Sequence, residues 1–200
     1  MARIEGDKYY TPDWMTKVLL KYHSIDPTKF EKVNGIYTRK KYEIFDPCAG
    51  DHAIGRVLEE KLGRKVIHND PDEKAADQDY NYDMTSHEHW EQMVNNHEIG
   101  WVITNPPWTP SICEPIVEFA NSVAKIGVAM LLRLSYLEPT KTRGRWLSEC
   151  PPTALIVMPR FSFRGRGSDT MTAAWFIWRT DKKDQTPTSI VIADKDAKEL

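Results

Sequence analysis

The 200-residue chain lacks the two glycine signatures that hold nucleotide phosphates. It has neither a Gly-x-Gly-x-x-Gly turn nor a Gly-Lys-Ser/Thr P-loop, which argues against NAD and ATP as ligands. It is also poor in cysteine. Three widely spaced cysteines cannot frame a disulfide scaffold and point to a reduced, cytoplasmic setting. There is no apolar N-terminal segment and no apolar run of membrane-spanning length, so neither a signal peptide nor a membrane partner is expected. No Gly-x-Ser-x-Gly elbow is present. His87, His89 and Cys113 lack a zinc spacing, and no metal is expected. The net charge is only −2, too small to pull the whole molecule toward nucleic acid.

The charge is unevenly spread. Acids dominate from Asp70 to Glu98. Seven cations, among them Arg133, Arg143, Arg145, Arg160, Arg164 and Arg166, dominate the stretch from Arg133 to Arg166. A neutral chain can thus carry a locally basic face. Thr11-Pro12-Asp13 predicts a helix start with Thr11 as N-cap, followed by Trp14, Met15, Val18, Leu19 and Tyr22 on one face. Residues 23–41 read as a polar connection or small insertion. Strands are expected at 42–45, 65–68, 101–104, 127–132, 154–158, 172–178 and 189–192. Helices are expected near 52–62, 88–95, 112–124 and within 140–150. Alternating strands and helices predict a doubly wound α/β sheet in one domain.

Two strand ends carry chemistry. The strand at 42–45 runs into Asp46-Pro47-Cys48-Ala49-Gly50-Asp51. A small Ala-Gly pair lets the backbone approach a ligand, and an acid at the mouth suits an amine better than a phosphate. Asp70 closes the next strand, where an acid commonly bonds a ribose hydroxyl. Taken alone, each Asp-Pro pair also fits a structural turn, the lesser reading. The strand at 101–104 ends in Asn105-Pro106-Pro107-Trp108. Asn105 and the Pro106 carbonyl offer two acceptors that can hold an amino group by both hydrogens, and Trp108 offers a flat face for stacking.

The two motifs, in this order, resemble the class I S-adenosylmethionine-dependent methyltransferases that act on exocyclic or amide nitrogens. Among these the chain is most similar to N6-adenine DNA methyltransferases, particularly small ones of bacteria and phages. The resemblance spans most of the chain. It implies a Rossmann-like fold with a mostly parallel seven-stranded sheet, S-adenosylmethionine as cofactor, and double- or single-stranded DNA as partner. It implies that Asn105, Pro106, Pro107 and Trp108 form the catalytic corner. Cofactor contacts then fall to Tyr10, Thr11 and Pro12, to Asp46, Pro47, Cys48, Ala49 and Gly50, and to Asn105. Asp70 matches the ribose-binding acid, and Asp83 the acid that bonds the cofactor's adenine. Pro159-Arg160-Phe161-Ser162-Phe163 resembles a segment whose aromatic, Phe161 or Phe163, packs on a flipped base. His52 departs from the pattern, standing where relatives often have glycine.

Too little chain follows Trp108 for a separate target-recognition domain of the usual kind. Residues 1–200 are therefore read as one catalytic domain. Target contacts then fall to loops 139–151 and 159–172, with Arg143, Arg145, Arg164 and Arg166 as candidate phosphate contacts. Methylation of a protein glutamine amide, of N4-cytosine or of adenine in RNA, and a non-catalytic binding role, remain open alternatives.

Overall fold

A computed structural model describes residues 11–33, 36–72, 75, 77–141, 143–160, 172–181, 188–193, 196 and 199. The chain opens with helix α1 (Asp13–Tyr22). A two-stranded antiparallel hairpin follows, β1 (Thr28–Val33) and β2 (Ile36–Lys41). The sheet proper begins with β3 (Glu43–Asp46), α2 (Ala53–Leu62) and β4 (Val66–His68). Next come α3 (His87–Asn96), β5 (Ile99–Thr104), α4 (Pro110–Val123) and β6 (Gly127–Arg133). A short 3-10 turn (Leu134–Leu137) leads to α5 (Arg143–Glu149), β7 (Ala154–Val157), β8 (Ala173–Trp178) and β9 (Ser189–Ile192). No described helix is long and apolar enough to cross a membrane.

Seven strands form one sheet in the order β4-β3-β5-β6-β8-β7-β9. The pairs β3–β4, β3–β5, β5–β6 and β7–β9 are parallel, and β8 runs antiparallel to both its neighbours. The α/β architecture and the mostly parallel seven-stranded sheet agree with the sequence reading. From β3 the chain winds to β4 on one side and to β5 on the other. That reversal opens a crevice at the C-terminal ends of these strands.

Two apolar layers sandwich the sheet. Met15, Val18 and Leu19 of α1 and Ile54 and Leu58 of α2 pack on one face, against Ile44, Trp101, Ile103, Leu131 and Trp175. Trp90 and Met93 of α3 and Cys113, Ile116 and Val117 of α4 pack on the other, against Phe45, Val102, Met130 and Phe176. Within β5 the alternation slips: Ile99 shares a face with Val102, whereas Trp101 and Ile103 share the opposite one. A register shift explains this. Glu43 faces Ile99 but Ile44 faces Trp101, so Gly100 is an extra residue in β5, which reverses every later side chain.

The hairpin departs from the expected polar connection. Its outer face carries Phe30, Lys32, Tyr37, Arg39 and Lys41, all exposed. An exposed face gives no apolar alternation to read. The inner side is tied to the sheet. Glu31 accepts from the Tyr42 hydroxyl, Lys40 pairs with Glu98, and the Trp101 indole donates to the Asp26 carbonyl.

Gly127 shows how tightly the layers close. A Cβ there would sit 2.6 Å from the Trp101 ring and 2.8 Å from the Trp178 carbonyl. Glycine to alanine within a strand ordinarily gains about 0.5–1 kcal/mol. Gly127→Ala is instead expected to destabilise by about 1–3 kcal/mol through overpacking. Urea unfolding at constant m-value checks this.

Candidate active site

The crevice is lined by Thr11, Cys48, Ala49, Gly50, Asp51, Ala53, Ile54 and Asn105. The loop after β3, the first turn of α2, the residue ahead of α1 and the end of β5 therefore converge. Five residues singled out from sequence, Thr11, Cys48, Ala49, Gly50 and Asn105, lie on one wall system. Asp51, Ala53 and Ile54 join them.

Thr11 does not cap α1. Pro12 occupies the N-cap position and no side chain caps the helix. The Thr11 hydroxyl is instead buried and accepts a hydrogen bond from Asn105 Nδ2 at 3.1 Å. That bond sets the orientation of the Asn105 amide and puts Oδ1 on the side away from Thr11. Pro106 is buried behind it, and Pro107 is half-buried.

Asp46 ends β3 almost wholly buried, at 1% exposure. Its Oδ1 accepts from the Cys48 amide at 3.2 Å, and its Oδ2 has no hydrogen-bond partner among the described residues. Burial pushes its carboxyl up to about 7 against the opposing pull of the Thr104 hydroxyl and the Cys48 amide, and the nearby acids Asp70 and Asp51 add to the rise. A buried carboxylate with an unsatisfied oxygen is costly. It is relieved by a cation or an N–H donor brought to it.

The loop that follows is held open by three clamps. Asn69, fully buried at the end of β4, donates from Nδ2 to the carbonyls of Pro47 and Tyr82 and accepts from the Tyr82 amide. Asp70 Oδ2 accepts from the Gly50 amide, and Gln78 donates to the Gly50 carbonyl. Gly50 takes φ +54 with no heavy atom within 4 Å of where a Cβ would be. The backbone at Gly50 is thus bare toward the crevice that it lines.

Asp70 has a structural part beside the expected one. It is fully buried, and its two oxygens accept from Gly50 and Asp72 amides, bracing the loop. Asp83 is exposed on the turn before α3. Its Oδ1 accepts from the Thr85 amide and hydroxyl, and against the desolvation it suffers, those bonds hold it below the usual carboxylate range.

His52 resolves its own departure. It is the one described non-glycine residue at positive φ, +63, a conformation costing about 1–2 kcal/mol. Its ring stacks on His68 at 4.0 Å and 6°. Burial, then the neighbouring His52, lowers the His68 pKa. Gly55 of α2 lies against His68 Nε2, where a Cβ would overlap the ring.

Trp108 is half-buried. Its indole N–H donates to the Leu131 carbonyl at 3.0 Å, and the Arg133 guanidinium lies over its ring at 5.1 Å. Among the candidate phosphate contacts, Arg143 is largely spent inside the fold. It pairs with Glu114 at 3.1 Å, donates to the Glu138 carbonyl and stacks over Tyr136. Arg145 is exposed and pairs with Glu149 one turn on. Tyr10, Phe161, Phe163, Arg164 and Arg166 lie outside the described residues. Burial drives the Cys113 thiol up to about 12, so it is no nucleophile.

Asn69, Gln78, His68 and Arg133 were missed from sequence. Asn69 had one available signal, an amide directly after a short apolar strand and before the acid of the loop.

No protein-family model matches the chain, and no curated protein matches it by sequence. Solved structures do match its fold. A modification subunit of a putative type I restriction enzyme from Vibrio vulnificus superposes over 96% of this chain and 49% of its own, with TM-score 0.64 and 10% identity. A type I restriction-modification methyltransferase subunit from Streptococcus thermophilus matches over 94% and 48%, with TM-score 0.64 and 13% identity. A putative class I S-adenosylmethionine-dependent methyltransferase from Listeria monocytogenes matches over 96% and 67%, with TM-score 0.57 and 14% identity. The chain spans about half the length of the first two. The fold is that of class I methyltransferases.

Asn69→Ala would strand the Pro47 and Tyr82 carbonyls and the Tyr82 amide. A loss of about 2–4 kcal/mol is expected, since each buried group left unpaired costs about 1–3 kcal/mol. Urea unfolding measures it. A loss under 1 kcal/mol would show that Asn69 is not the clamp.

Proposed function

We propose that this chain transfers a methyl group from S-adenosylmethionine to the exocyclic amino group of a nucleobase, N6 of adenine in DNA being the assignment that fits best. The observation that carries it is the pairing of one crevice's two walls. On one wall the loop 48–50 exposes bare backbone, and the Cys48 amide bonds the buried acid Asp46, whose Oδ2 has no hydrogen-bond partner among the described residues. On the other, Asn105 is held in a fixed orientation by Thr11. The first suits the ammonium end of the cofactor, and the second suits an amino group presented to it. Two of the matched structures, a modification subunit of a putative type I restriction enzyme and a methyltransferase subunit of a type I restriction-modification system, support the same reading.

S-adenosylmethionine, when bound, supplies an electrophilic methyl on a sulfonium. The protein's own residues would hold it through Asp46, the Cys48–Gly50 backbone and Thr11. Asn105 Oδ1 and the Pro106 carbonyl would accept the two hydrogens of the target amine and leave its lone pair facing the crevice. Both acceptors gain strength as the nitrogen becomes cationic, so they favour the transition state over the ground state. Asn105 needs no proton of its own to do this. Catalysis is then mainly positioning in a site with little water. A paired adenine must first leave the duplex stack, at a cost of a few kcal/mol. Trp108 would supply its stacking surface, with DNA as the partner.

Asn105→Ala should lower kcat by about a hundredfold or more, the scale seen on removing one such hydrogen-bonding group. Cofactor affinity should stay within about threefold. Labelled cofactor incubated with duplex DNA, single-stranded DNA, RNA and a glutamine peptide, with the methylated atom identified, tests the assignment. Retained activity in Asn105→Ala, or transfer to the peptide alone, would sink it.

Asp46 provides a second, independent test. With the free acid pushed to about 7, a cation placed beside it lowers that value again. Binding below pH 7 should therefore release a proton, and affinity should rise as pH rises toward 7. Calorimetry in buffers of different ionisation heat reads the proton directly. Asp46→Asn should abolish that pH dependence and weaken binding about 10–100-fold, the cost of about 1.5–3 kcal/mol for a hydrogen bond to a charged group.

A further inference from the structure

Arg133 is the last residue of β6, one strand over from the corner. Thr104, where β5 ends, faces Met130 in the parallel ladder. β6 therefore runs three residues past that point, level with the Asn105–Trp108 turn. Leu131 and Arg133 share a face of β6 by strand alternation. Leu131 is the residue whose carbonyl receives the Trp108 N–H, and Arg133 covers the same ring.

Among the described residues the charge of Arg133 has no counter-ion. Its Nε is buried without a hydrogen-bond partner, and no described carboxylate lies within ion-pair distance of it. Arg143, Arg145 and Arg179 each hold one. A half-buried guanidinium, desolvated at Nε and without a counter-ion, costs free energy that stacking on an indole returns only in part. It stands over Trp108 at the Asn105–Trp108 corner, whereas the loop after β3 carries the acids Asp46 and Asp51, suited to a cation. The two ends of the site therefore differ in sign.

We propose that Arg133 is a substrate-binding residue that takes a phosphodiester of the strand carrying the target base. This inference rests on the reading of the site as a nucleic-acid methyltransferase. Trp108 fixes the guanidinium plane, and the fork of N–H donors at its edge then matches two phosphate oxygens at once. A base brought to Asn105 carries its own phosphates within one nucleotide of the corner. Lysine would keep the charge but lose both the stacking and the two-point grip.

The test uses the full chain with cofactor product bound and duplex oligonucleotides in which single phosphates are replaced by neutral methylphosphonates. In the wild type, one position next to the target base should weaken binding about tenfold. In Arg133→Gln that position should lose its effect. KM for DNA should rise about tenfold with kcat within threefold, and the slope of log affinity against log salt should become shallower by about one. Arg133→Lys should keep the salt slope and still lose affinity. Cofactor affinity should be unchanged in both. An unchanged KM and salt slope in Arg133→Gln, or a lowered unfolding midpoint as the sole effect, would overturn the proposal while leaving the methyltransferase reading intact. Absence of transfer to any nucleic acid by the wild type would instead remove that reading, and this inference with it.

Discussion

The site depends on one buried amide. Asn69 stands at the end of β4, where the peptide groups of three segments meet without water. Its backbone accepts from the Ala49 amide and donates to the Asp46 carbonyl, and its side chain bridges Pro47 and Tyr82. The Asn69 amide closes the β3–β4 ladder on the Asp46 carbonyl, and its side chain serves groups past the ends of these strands. A loop in this position must either find partners for its backbone or be exposed to water. Asn69 supplies both a donor and an acceptor to neighbours that need them. Only a primary amide of this length offers that combination, whereas a carboxylate could not donate and a hydroxyl could not reach both sides.

With the loop held from beneath, its upper surface can be bare. Gly50 is braced at its amide by Asp70 and at its carbonyl by Gln78. His52 is turned into a left-handed conformation that its stacking on His68 helps sustain. Strain of this kind persists where the surroundings over-determine it. The result is a wall of backbone with Asp46 beneath it. That acid is costly in the free protein, which is why its carboxyl is pushed toward neutrality. The polar clamps and the acid are thus two sides of one design. The first set makes an open crevice, and the second gives it a preference in charge.

The sheet was legible because strands buried on both faces are continuous apolar runs, as β5, β6, β7 and β8 are. The Asp-Pro and Asn-Pro-Pro-Trp corners were legible because proline and glycine mark strand ends locally. Three kinds of feature were not. The hairpin at 28–41 has an exposed outer face, so no alternation announced it. The slip at Gly100 shows only in the ladder with β3. The partners of polar side chains are set by residues far away in sequence. Thr11 looked like a helix cap but meets Asn105, 94 positions on. Asp70, expected at a ribose hydroxyl, also braces Gly50, a role the sequence did not announce. Arg143, a candidate phosphate contact, pairs with Glu114 and lies over Tyr136. Local chemistry identified the residue types, and tertiary packing decided which atoms remained available.

That last point bears most on Trp108. Read locally, it is a free aromatic face beside a polar turn. In the fold it is anchored through its indole N–H to β6 and covered on one side by Arg133. The covering is not neutral. An aromatic ring with a guanidinium on it is a surface for a ligand that is both flat and anionic, such as a nucleotide. A side-chain amide offers neither the area to stack nor the charge to neutralise. The cation–π pair therefore gives the corner a preference that Asn105 and its prolines lack, since those groups would hold any primary amine or amide alike. On the proposed reading, discrimination between substrate classes would fall to Arg133, and methyl transfer itself to Asn105.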